Sequence, residues 1–386
     1  MKWDTLFPWI TFLRKFNHVW ALVGLLTLML ANTPVAWIIY ENHIGNLTAF
    51  PHDIPYDVNR IDIRHSQISA IDKIGPFPWL QTFIFSNMSL IQLPDFTNAS
   101  DSLIYIDLSS NNIMTITSIR PMPSLNDLDL RWNYLAEMPD LSNISSSLEV
   151  LKLSENKIVR IESIPLPKMY KLKRFMLSYN QLYEFPDLTN VSSTLEELDL
   201  AHNNLETVGF LPYVRFLRII TLSENRLTEF PDLSNVGTTL QRLGLSKNYI
   251  RYIPERLMMS LKTLNFLDLR ENPLLSLPGL CHLNTIKLLL SESSFNCSWK
   301  MAFSKVMESA GKILFPQTSP HCDLPANLAN KDWTSITIMD LIDGGDEVQK
   351  GMEHLQSIMP GEAPPLIEYF DSTYTSGALR HRHDNS

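Results

Sequence analysis

The sequence predicts an α/β repeat fold, a solenoid with a parallel β-sheet on one face and mostly turn or extended segments on the other. Three observations predict it. One eleven-residue phrase recurs eight times between Leu103 and Leu274, its copies begin about 23 residues apart, and asparagine occupies the ninth position of every copy. Chance enrichment in leucine and asparagine would not keep eight copies in phase.

The apolar positions of the phrase explain why the repeats stack. Positions one, four, six and eleven hold leucine or a similar residue, and residues two apart in a strand point to the same face. One repeat cannot bury that face, whereas stacked repeats bury it in a continuous core. The copies begin at Leu103, Leu125, Leu148, Leu172, Leu195, Leu217, Leu240 and Leu264, and two weaker copies begin at Val58 and Leu80.

Asparagine at position nine follows the predicted strand, where the chain must turn away from the sheet. A buried amide has two donor hydrogens and an acceptor oxygen, so it can satisfy backbone groups that a turn leaves unpaired. In register, these side chains would form a ladder in which each bridges its own turn and the next repeat. The ladder residues are Asn111, Asn133, Asn156, Asn180, Asn203, Asn225, Asn248 and Asn272.

In these positions the chain resembles the leucine-rich repeat family, whose phrase it matches position for position. The resemblance implies a leucine-rich repeat solenoid of about ten repeats over residues 58–290, curved like a horseshoe with its parallel sheet on the concave face. It also implies that the concave face binds a partner. The fold by itself does not identify that partner.

Composition and motifs argue against catalysis and against nucleic-acid binding. The formal charge is −9, and no basic stripe is available to neutralise phosphates. The sequence contains no glycine-rich phosphate loop, no H-E-x-x-H, no G-x-S-x-G and no C-x-x-C. We therefore expect a binding protein that is not an enzyme and that uses no cofactor or metal.

The N-terminus predicts export from the cytoplasm. Basic residues within residues 1–18 precede an uncharged run from Val19 to Tyr40. The densest part of that run has the length of a signal-peptide core, while the whole run of 22 residues could span a bilayer. Residues 1–36 are therefore either a signal peptide or a signal anchor, and both alternatives place the repeats outside the cytoplasm. Residues 37–57 are expected to cap the first repeat.

Residues 291–339 resemble the cysteine-flanked C-terminal cap of extracellular leucine-rich repeat proteins. The run F-N-C-S-W contains Cys297, and Cys322 follows a stretch with helical periodicity. The resemblance implies a Cys297–Cys322 disulfide, with Cys281 either unpaired or a competitor for it. The family cap usually has four cysteines, so this cap departs from the pattern. Residues 340–386, with several glycines and prolines, are expected to form a flexible tail.

A longer period predicts turns on the convex side and marks candidate glycosylation sites. A motif of proline, aspartate, an apolar residue, a hydroxyl residue and asparagine recurs in every second repeat, and its residues favour turns. The motif begins at Pro94, Pro139, Pro186 and Pro231. The main exception is residues 255–261, where good helix formers follow a proline. The expected glycosylation sites are Asn46, Asn98, Asn143, Asn190 and Asn296.

The side chains at positions five and eight are expected to face outward from the strands, as a rigid array that contacts a partner. The carboxylates at position five fit an ordinary solvated face. At position eight, four successive repeats place Trp132, Glu155, Tyr179 and His202 in one column of about 15 Å across the sheet. Exposed aromatic residues are enriched at binding hot spots, so these four are the candidate ligand-binding residues.

The sequence thus predicts an extracellular leucine-rich repeat protein that binds a protein or glycan partner through its concave face. Recognition, adhesion and innate-immune roles all fit this description. The alternative is a structural matrix protein or a non-catalytic scaffold subunit that holds partners through its flanks. Binding confined to the concave face would distinguish the first function from the second.

Overall fold

The structure is a computed structural model that describes residues 36–40, 50–51, 54–71, 73–99, 101–117, 119–161, 169–191, 193–209, 211–277, 286–291, 294–297, 313–314, 321–324 and 328–336. The chain divides into two compact units. The first comprises Met1–Leu182 with Pro186–Leu198, and the second comprises Tyr183–Phe185 with Asp199–Ser386.

The first unit contains a parallel β-sheet whose strands follow one another in chain order. Its strands are β1 (Ala36–Tyr40), β2 (Val58–Arg64), β3 (Thr82–Ser86), β4 (Tyr105–Asp107), β5 (Asp127–Asp129), β6 (Val150–Lys152) and β7 (Arg174–Met176). Each pairs in parallel with the next, from β1 to β7. The division between the units falls within β8 (Glu197–Asp199).

The second unit contains parallel strands that follow the same pattern. Its strands β9 (Ile219–Thr221), β10 (Arg242–Gly244), β11 (Phe266–Asp268) and β12 (Lys287–Leu289) pair in parallel in chain order. Two smaller pairings follow, of β12 with β14 (Ile313–Leu314) and of β13 (Ser294–Asn296) with β15 (His321–Leu324).

Helix is scarce in the described residues, as the turn-forming motif predicts. The α-helix α1 (Glu255–Ser260) begins after Pro254, as expected. Short 3₁₀ helices occur at Thr189–Val191, Ser234–Val236 and Trp333–Ser335. The predicted fold is confirmed: the chain is a parallel-sheet solenoid of about ten repeats with the leucine-rich repeat architecture.

The core consists of the positions that the phrase marks as apolar. In the fourth repeat Leu125, Leu128, Leu130 and Leu135 are all buried, and β4 to β6 set them beside their counterparts in neighbouring repeats. Because every strand advances by one repeat, each layer of leucines packs on the next. The core therefore fixes the strand register that positions the surface side chains.

The end of the N-terminal apolar run forms a strand. β1 (Ala36–Tyr40) pairs in parallel with β2, with Ile38 opposite Ile61 and Tyr40 opposite Ile63. This strand lies along the edge of the first repeat, and most of the expected cap at residues 37–57 falls outside the described residues. Residues 1–35, with the predicted signal peptide or anchor, lie outside the described residues. Within the described part of the chain, none of the helices has both the length and the hydropathy to cross a bilayer.

The C-terminal end of the described chain contains a disulfide. Cys297 and Cys322 are bonded, with their Cα atoms 5.6 Å apart, and both side chains are buried. Phe295 beside Cys297 meets the buried Trp333 edge to face, with ring centroids 5.7 Å apart. Cys281, the predicted helical stretch and residues 340–386 lie outside the described residues.

Candidate binding surface

The position-nine asparagines hydrogen-bond the turn after each strand to the adjacent repeat. Asn133 donates its amide hydrogens to the carbonyls of Leu108 (2.9 Å) and Leu130 (3.1 Å). Its carbonyl oxygen accepts a bond from the backbone N–H of Ile113 at 3.0 Å. Leu108 and Ile113 belong to the repeat that precedes Asn133 in the chain. The expectation that each asparagine bonds to the next repeat is therefore wrong.

The same three contacts recur along the ladder within each unit. They are made by Asn111, Asn156, Asn180, Asn225, Asn248 and Asn272. Asn203 is buried as well, and it donates to the carbonyl of Leu200 at 3.1 Å. Because these side chains satisfy backbone groups that the turn leaves open, they define where each chain segment leaves the sheet.

The position-eight residues lie beyond the strands, in the left-handed helical region. The strands after β3 end at position five, so the expectation that position eight lies on the strand is wrong. Ten non-glycine residues in successive repeats have φ between 52° and 58°. They are His65, Asn87, Ser110, Trp132, Glu155, Tyr179, His202, Glu224, Lys247 and Glu271. The left-handed residue turns the chain so that the asparagine after it points into the core.

The turns stay in register although the strands have ended. The backbone N–H of Trp132 donates to the carbonyl of Ser154 at 3.1 Å, and that of Glu155 donates to Ser178 at 2.9 Å. A left-handed conformation costs a non-glycine residue of order 1–3 kcal/mol unless its surroundings impose it. The hydrogen bonds on both sides impose it here, and they hold each position-eight side chain at a fixed angle.

Three of the four candidate ligand-binding residues lie together in the first unit. Trp132 is 58% exposed, Tyr179 is 46% exposed, and the half-buried Glu155 lies in the repeat between them. His202 belongs to the second unit, where its Nδ1 is 2.9 Å from an oxygen of Glu224. Lys247 lies 2.7 Å from the other oxygen of Glu224. The structure therefore divides the predicted column into an aromatic group and a charged group.

Three of the five position-five carboxylates are buried, and for these the interpretation as an ordinary solvated face is wrong. Asp129 is fully buried, and the Arg131 guanidinium holds it through contacts of 2.7 to 3.1 Å. Asp62 and Asp268 are also buried, and each pairs with an arginine two positions later. The arginine covers the carboxylate from the solvent side and supplies its countercharge. Sequence reasoning missed these pairs, although the D-x-R pattern in the three repeats was the signal.

A second charged group lies beside Asp129 on the sheet. The Lys152 ammonium is 3.0 Å from both oxygens of Asp127 and 3.7 Å from Asp129. Burial raises the pKa of Asp127, and the Lys152 ammonium opposes that shift. Burial also raises the pKa of Tyr105, whose ring centroid is 5.5 Å from the Lys152 nitrogen. The charges at the centre of this sheet are thus largely engaged with one another.

The convex turns contain a repeated carboxylate cap. Hydrogen bonds from a serine or threonine two residues later lower the pKa of each aspartate in the turn motif. These aspartates are Asp95, Asp140, Asp187 and Asp232. In the described part of the chain, no cluster of three or more histidine, cysteine or carboxylate side chains is arranged for a metal ion.

The candidate glycosylation sites have different surroundings. Asn98 and Asn143 are exposed, and Asn190 is half-buried in a 3₁₀ turn. The Asn143 amide donates to the Ile119 carbonyl at 2.9 Å, and Asn235 makes the equivalent bond to Leu211 at 2.9 Å. Asn296 lies in β13, and Asn46 falls outside the described residues.

Comparison with known proteins agrees with the class that the fold defines. A family model described as leucine rich repeat matches residues 215–274. A leucine-rich repeat protein of Leptospira interrogans is 25% identical over 64% of this chain and 64% of that chain, with a TM-score of 0.52. No curated protein matches the sequence.

Two further solved structures share the fold. A chain in the octameric complex of Latrophilin 3, Unc5D and FLRT2, to which FLRT2 contributes leucine-rich repeats, is 20% identical with a TM-score of 0.63. That match covers 80% of this chain and 96% of the other. YopM, a leucine-rich effector protein of Yersinia pestis, is 22% identical over 76% of this chain and 81% of that chain, with a TM-score of 0.54. This chain spans 64% of the length of the Leptospira protein.

Proposed function

We propose that this protein is an extracellular leucine-rich repeat protein that binds a protein or glycan partner beside the concave sheet, at the position-eight turns. The observation that carries the proposal is the exposed pair Trp132 and Tyr179, held by left-handed turns on either side of Glu155. Leucine-rich repeat domains typically bind proteins and typically serve as non-catalytic scaffolds. His202 lies in the second unit, where it contacts Glu224, and it is left out of the proposed site.

The surrounding contacts favour the aromatic residues over the more numerous charged residues as the side chains that a partner binds. Asp127, Asp129 and Lys152 already pair with one another or with Arg131, so a partner would have to displace those contacts. Trp132 presents a large apolar ring to solvent and loses little conformational freedom on binding, because its backbone is fixed on both sides. Aromatic anchors of this kind dominate the energetics of protein interfaces.

Trp132→Ala combined with Tyr179→Ala is expected to weaken partner binding at least about tenfold, since an interface hot spot contributes about 2 kcal/mol or more. The measurement is the binding of the secreted protein to extracellular fluid proteins and to a glycan array, followed by the Kd for each captured partner. The matched control is Trp79→Ala with Tyr170→Ala, which removes two rings that are at least as exposed, from the segments that precede the strands.

Full binding by the variant that lacks Trp132 and Tyr179, with an unchanged thermal midpoint, would contradict the proposed site. If the Trp79 and Tyr170 pair alone weakens binding, the scaffold function through the flanks is favoured instead. If both pairs weaken binding equally, the partner contacts the strand ends on both sides and the proposal in its present form is wrong.

The extracellular location rests on the N-terminal sequence and on the disulfide. A structural disulfide such as Cys297–Cys322 persists in oxidising compartments. With Ala36–Tyr40 in the sheet, the apolar run retains Val19–Val35, at the short end of the roughly 17 to 25 residues that span a bilayer. Cleavage before Ala36 would leave β1 whole, which supports a cleaved signal peptide over an anchor.

We expect protein expressed in animal cells to begin near residues 32–36 and to carry a glycan on Asn98, Asn143 or Asn190. Of the three, Asn98 is expected to show the highest occupancy, because the Asn143 amide bonds to Ile119 and Asn190 is half-buried. N-terminal sequencing and glycopeptide mass spectrometry test this. Retention of Met1 on membrane-bound protein would favour the anchor, and three unmodified asparagines would contradict the expected sites.

A further inference from the structure

Beyond the position-eight turn, alternate residues of each repeat face the same side of the solenoid. Positions nine and eleven are buried, whereas positions eight, ten and twelve point outward. Neighbouring repeats stay hydrogen-bonded here: the Tyr134 N–H donates to the Ile113 carbonyl at 2.9 Å and the Lys157 N–H donates to Leu135 at 2.9 Å. We call this surface the lateral edge, defined by positions eight, ten and twelve.

In the first unit the lateral edge is unusually apolar. Five large apolar side chains on four successive repeats are between 38% and 61% exposed. They are Ile91, Met114, Trp132, Tyr134 and Val159, and we call them the apolar patch. Lys157 lies over the Tyr134 ring at 4.7 Å from its centroid. Monomeric proteins rarely leave so many apolar side chains together in solvent unless they serve an interaction.

The second unit provides an internal comparison for these positions. There six of the lateral-edge positions carry a charge, and the exposed aromatic residues are Tyr183 and Tyr249. The charged residues at the equivalent positions are Glu206, Glu224, Arg226, Lys247, Arg251 and Glu271. Because both units have the same turn and the same asparagine ladder, the repeat architecture does not require apolar residues at the lateral edge. The patch in the first unit therefore needs a separate explanation.

We propose that the apolar patch is the docking surface for an uncharged, apolar segment of a protein partner. This inference rests on the proposed binding function and names the class of partner. In the repeats of Ile91 and Met114, positions eight, ten and twelve contain no charged residue. A charge on the docked segment would be buried there without a counterion, which is costly. Over these two repeats, the surface thus complements a segment whose contacting side chains are aliphatic or aromatic.

A protein segment fits the patch better than a glycan does. Sugars stack on the faces of aromatic rings, and three of the five patch residues, Ile91, Met114 and Val159, are aliphatic. From the spacing between neighbouring strands and the rise per residue, the patch measures about 14 Å by 13 Å. A standard interface buries about 800 Å² on each partner, so a patch of this size would form its dry centre with a polar rim around it.

The test places a photoreactive benzoylphenylalanine at Met114 in the full chain, secreted from cells of the organism that makes the protein. The control places the same group at Thr228, which has the same repeat position and is exposed in the second unit. After illumination, we expect a covalent adduct at Met114 whose cross-linked peptide is an uncharged segment with at least two large apolar residues. Ile91→Glu and Val159→Glu, each in the cross-linker background, should reduce the adduct about tenfold.

Several results would overturn the inference. They are the absence of an adduct at Met114, an equal adduct at Thr228, an adduct with a second copy of this chain, an adduct that glycosidase removes, and a glycan on Asn87 that covers the patch. The two proposals can also fail separately. If Trp132→Ala with Tyr179→Ala abolishes binding but Ile91→Glu and Val159→Glu do not, the binding function stands and the apolar docking surface is wrong.

Discussion

Replacing Asn156 with alanine is expected to lower the free energy of unfolding by about 1–3 kcal/mol. The Asn156 side chain is buried, and it donates to the carbonyls of Leu130 and Leu153 at 2.9 and 3.0 Å. It also accepts the backbone N–H of Leu135 at 3.0 Å. Alanine would leave the Leu135 N–H buried and unpaired, and it would remove one of the two side-chain hydrogen bonds that each carbonyl accepts, since Leu130 keeps its bond from Asn133 and Leu153 keeps its bond from Asn180. The measurement is the urea midpoint by circular dichroism, together with the slope of the transition.

Two further variants show whether the amide itself is responsible. Asn156→Asp keeps an acceptor for the Leu135 N–H but sets a carboxylate against two carbonyl oxygens, so it should destabilise at least as much as alanine. Asn112→Ala removes a partly exposed asparagine that follows the ladder residue Asn111, and it should shift the midpoint little. Equal midpoints for Asn156→Ala and wild type would mean that the ladder does not stabilise the fold.

Gly237→Ala is expected to destabilise the protein by about 1–3 kcal/mol, the usual range for overpacking. A Cβ built at Gly237 would lie 2.1 Å from the carbonyl oxygen of Ser260, at the end of α1. Main chain cannot swing aside as a flexible side chain does, so α1 or the turn would have to move. The backbone at Gly237 is right-handed helical, with φ −61°, so the effect would come from the contact and not from a forbidden conformation.

The matched control is Gly209→Ala, because the nearest atom to a Cβ there is 3.9 Å away, an ordinary contact. A thermal midpoint lowered by several degrees for Gly237→Ala and unchanged for Gly209→Ala is the expected pattern. An unchanged midpoint for both variants would mean that α1 can move away from Gly237 without cost.

The same contact explains why the fourth copy of the turn motif has no serine to complete a glycosylation sequon. Where the first three copies continue to a serine that completes a sequon, the fourth has Gly237 beneath α1.

The arrangement of strands could be predicted from the sequence because it depends on a period that every repeat obeys. Leucine at positions four and six forces one face of each short strand inward, and the structure places strands at positions three to five from β4 to β11. Burial of the asparagine at position nine follows from the same register. Even the two weak copies at Val58 and Leu80 align, with Ile61 opposite Phe83 in the sheet.

The surface details could not be predicted from that period. Trp132, Glu155 and Tyr179 have no intrinsic preference for a left-handed backbone, which the hydrogen bonds of the adjacent repeats impose. The burial of Asp129 depends on how the Arg131 side chain folds back, and an alternating pattern records only which face a residue occupies. The strand at Ala36–Tyr40 could not be predicted either, because one continuous apolar run includes both its residues and the predicted signal segment.

The buried aspartate–arginine pairs have a consequence for the speed of association. Asp129 with Arg131 and Asp268 with Arg270 are local dipoles whose fields largely cancel within a few ångströms. Long-range steering needs an uncompensated field, which can raise association rates toward about 10⁸–10⁹ M⁻¹s⁻¹ at low salt. These pairs would therefore add little to the association rate of a partner that approaches beside them, and replacing both members of a pair would leave that rate nearly unchanged. Differences in affinity among partners would then arise in how long each complex lasts.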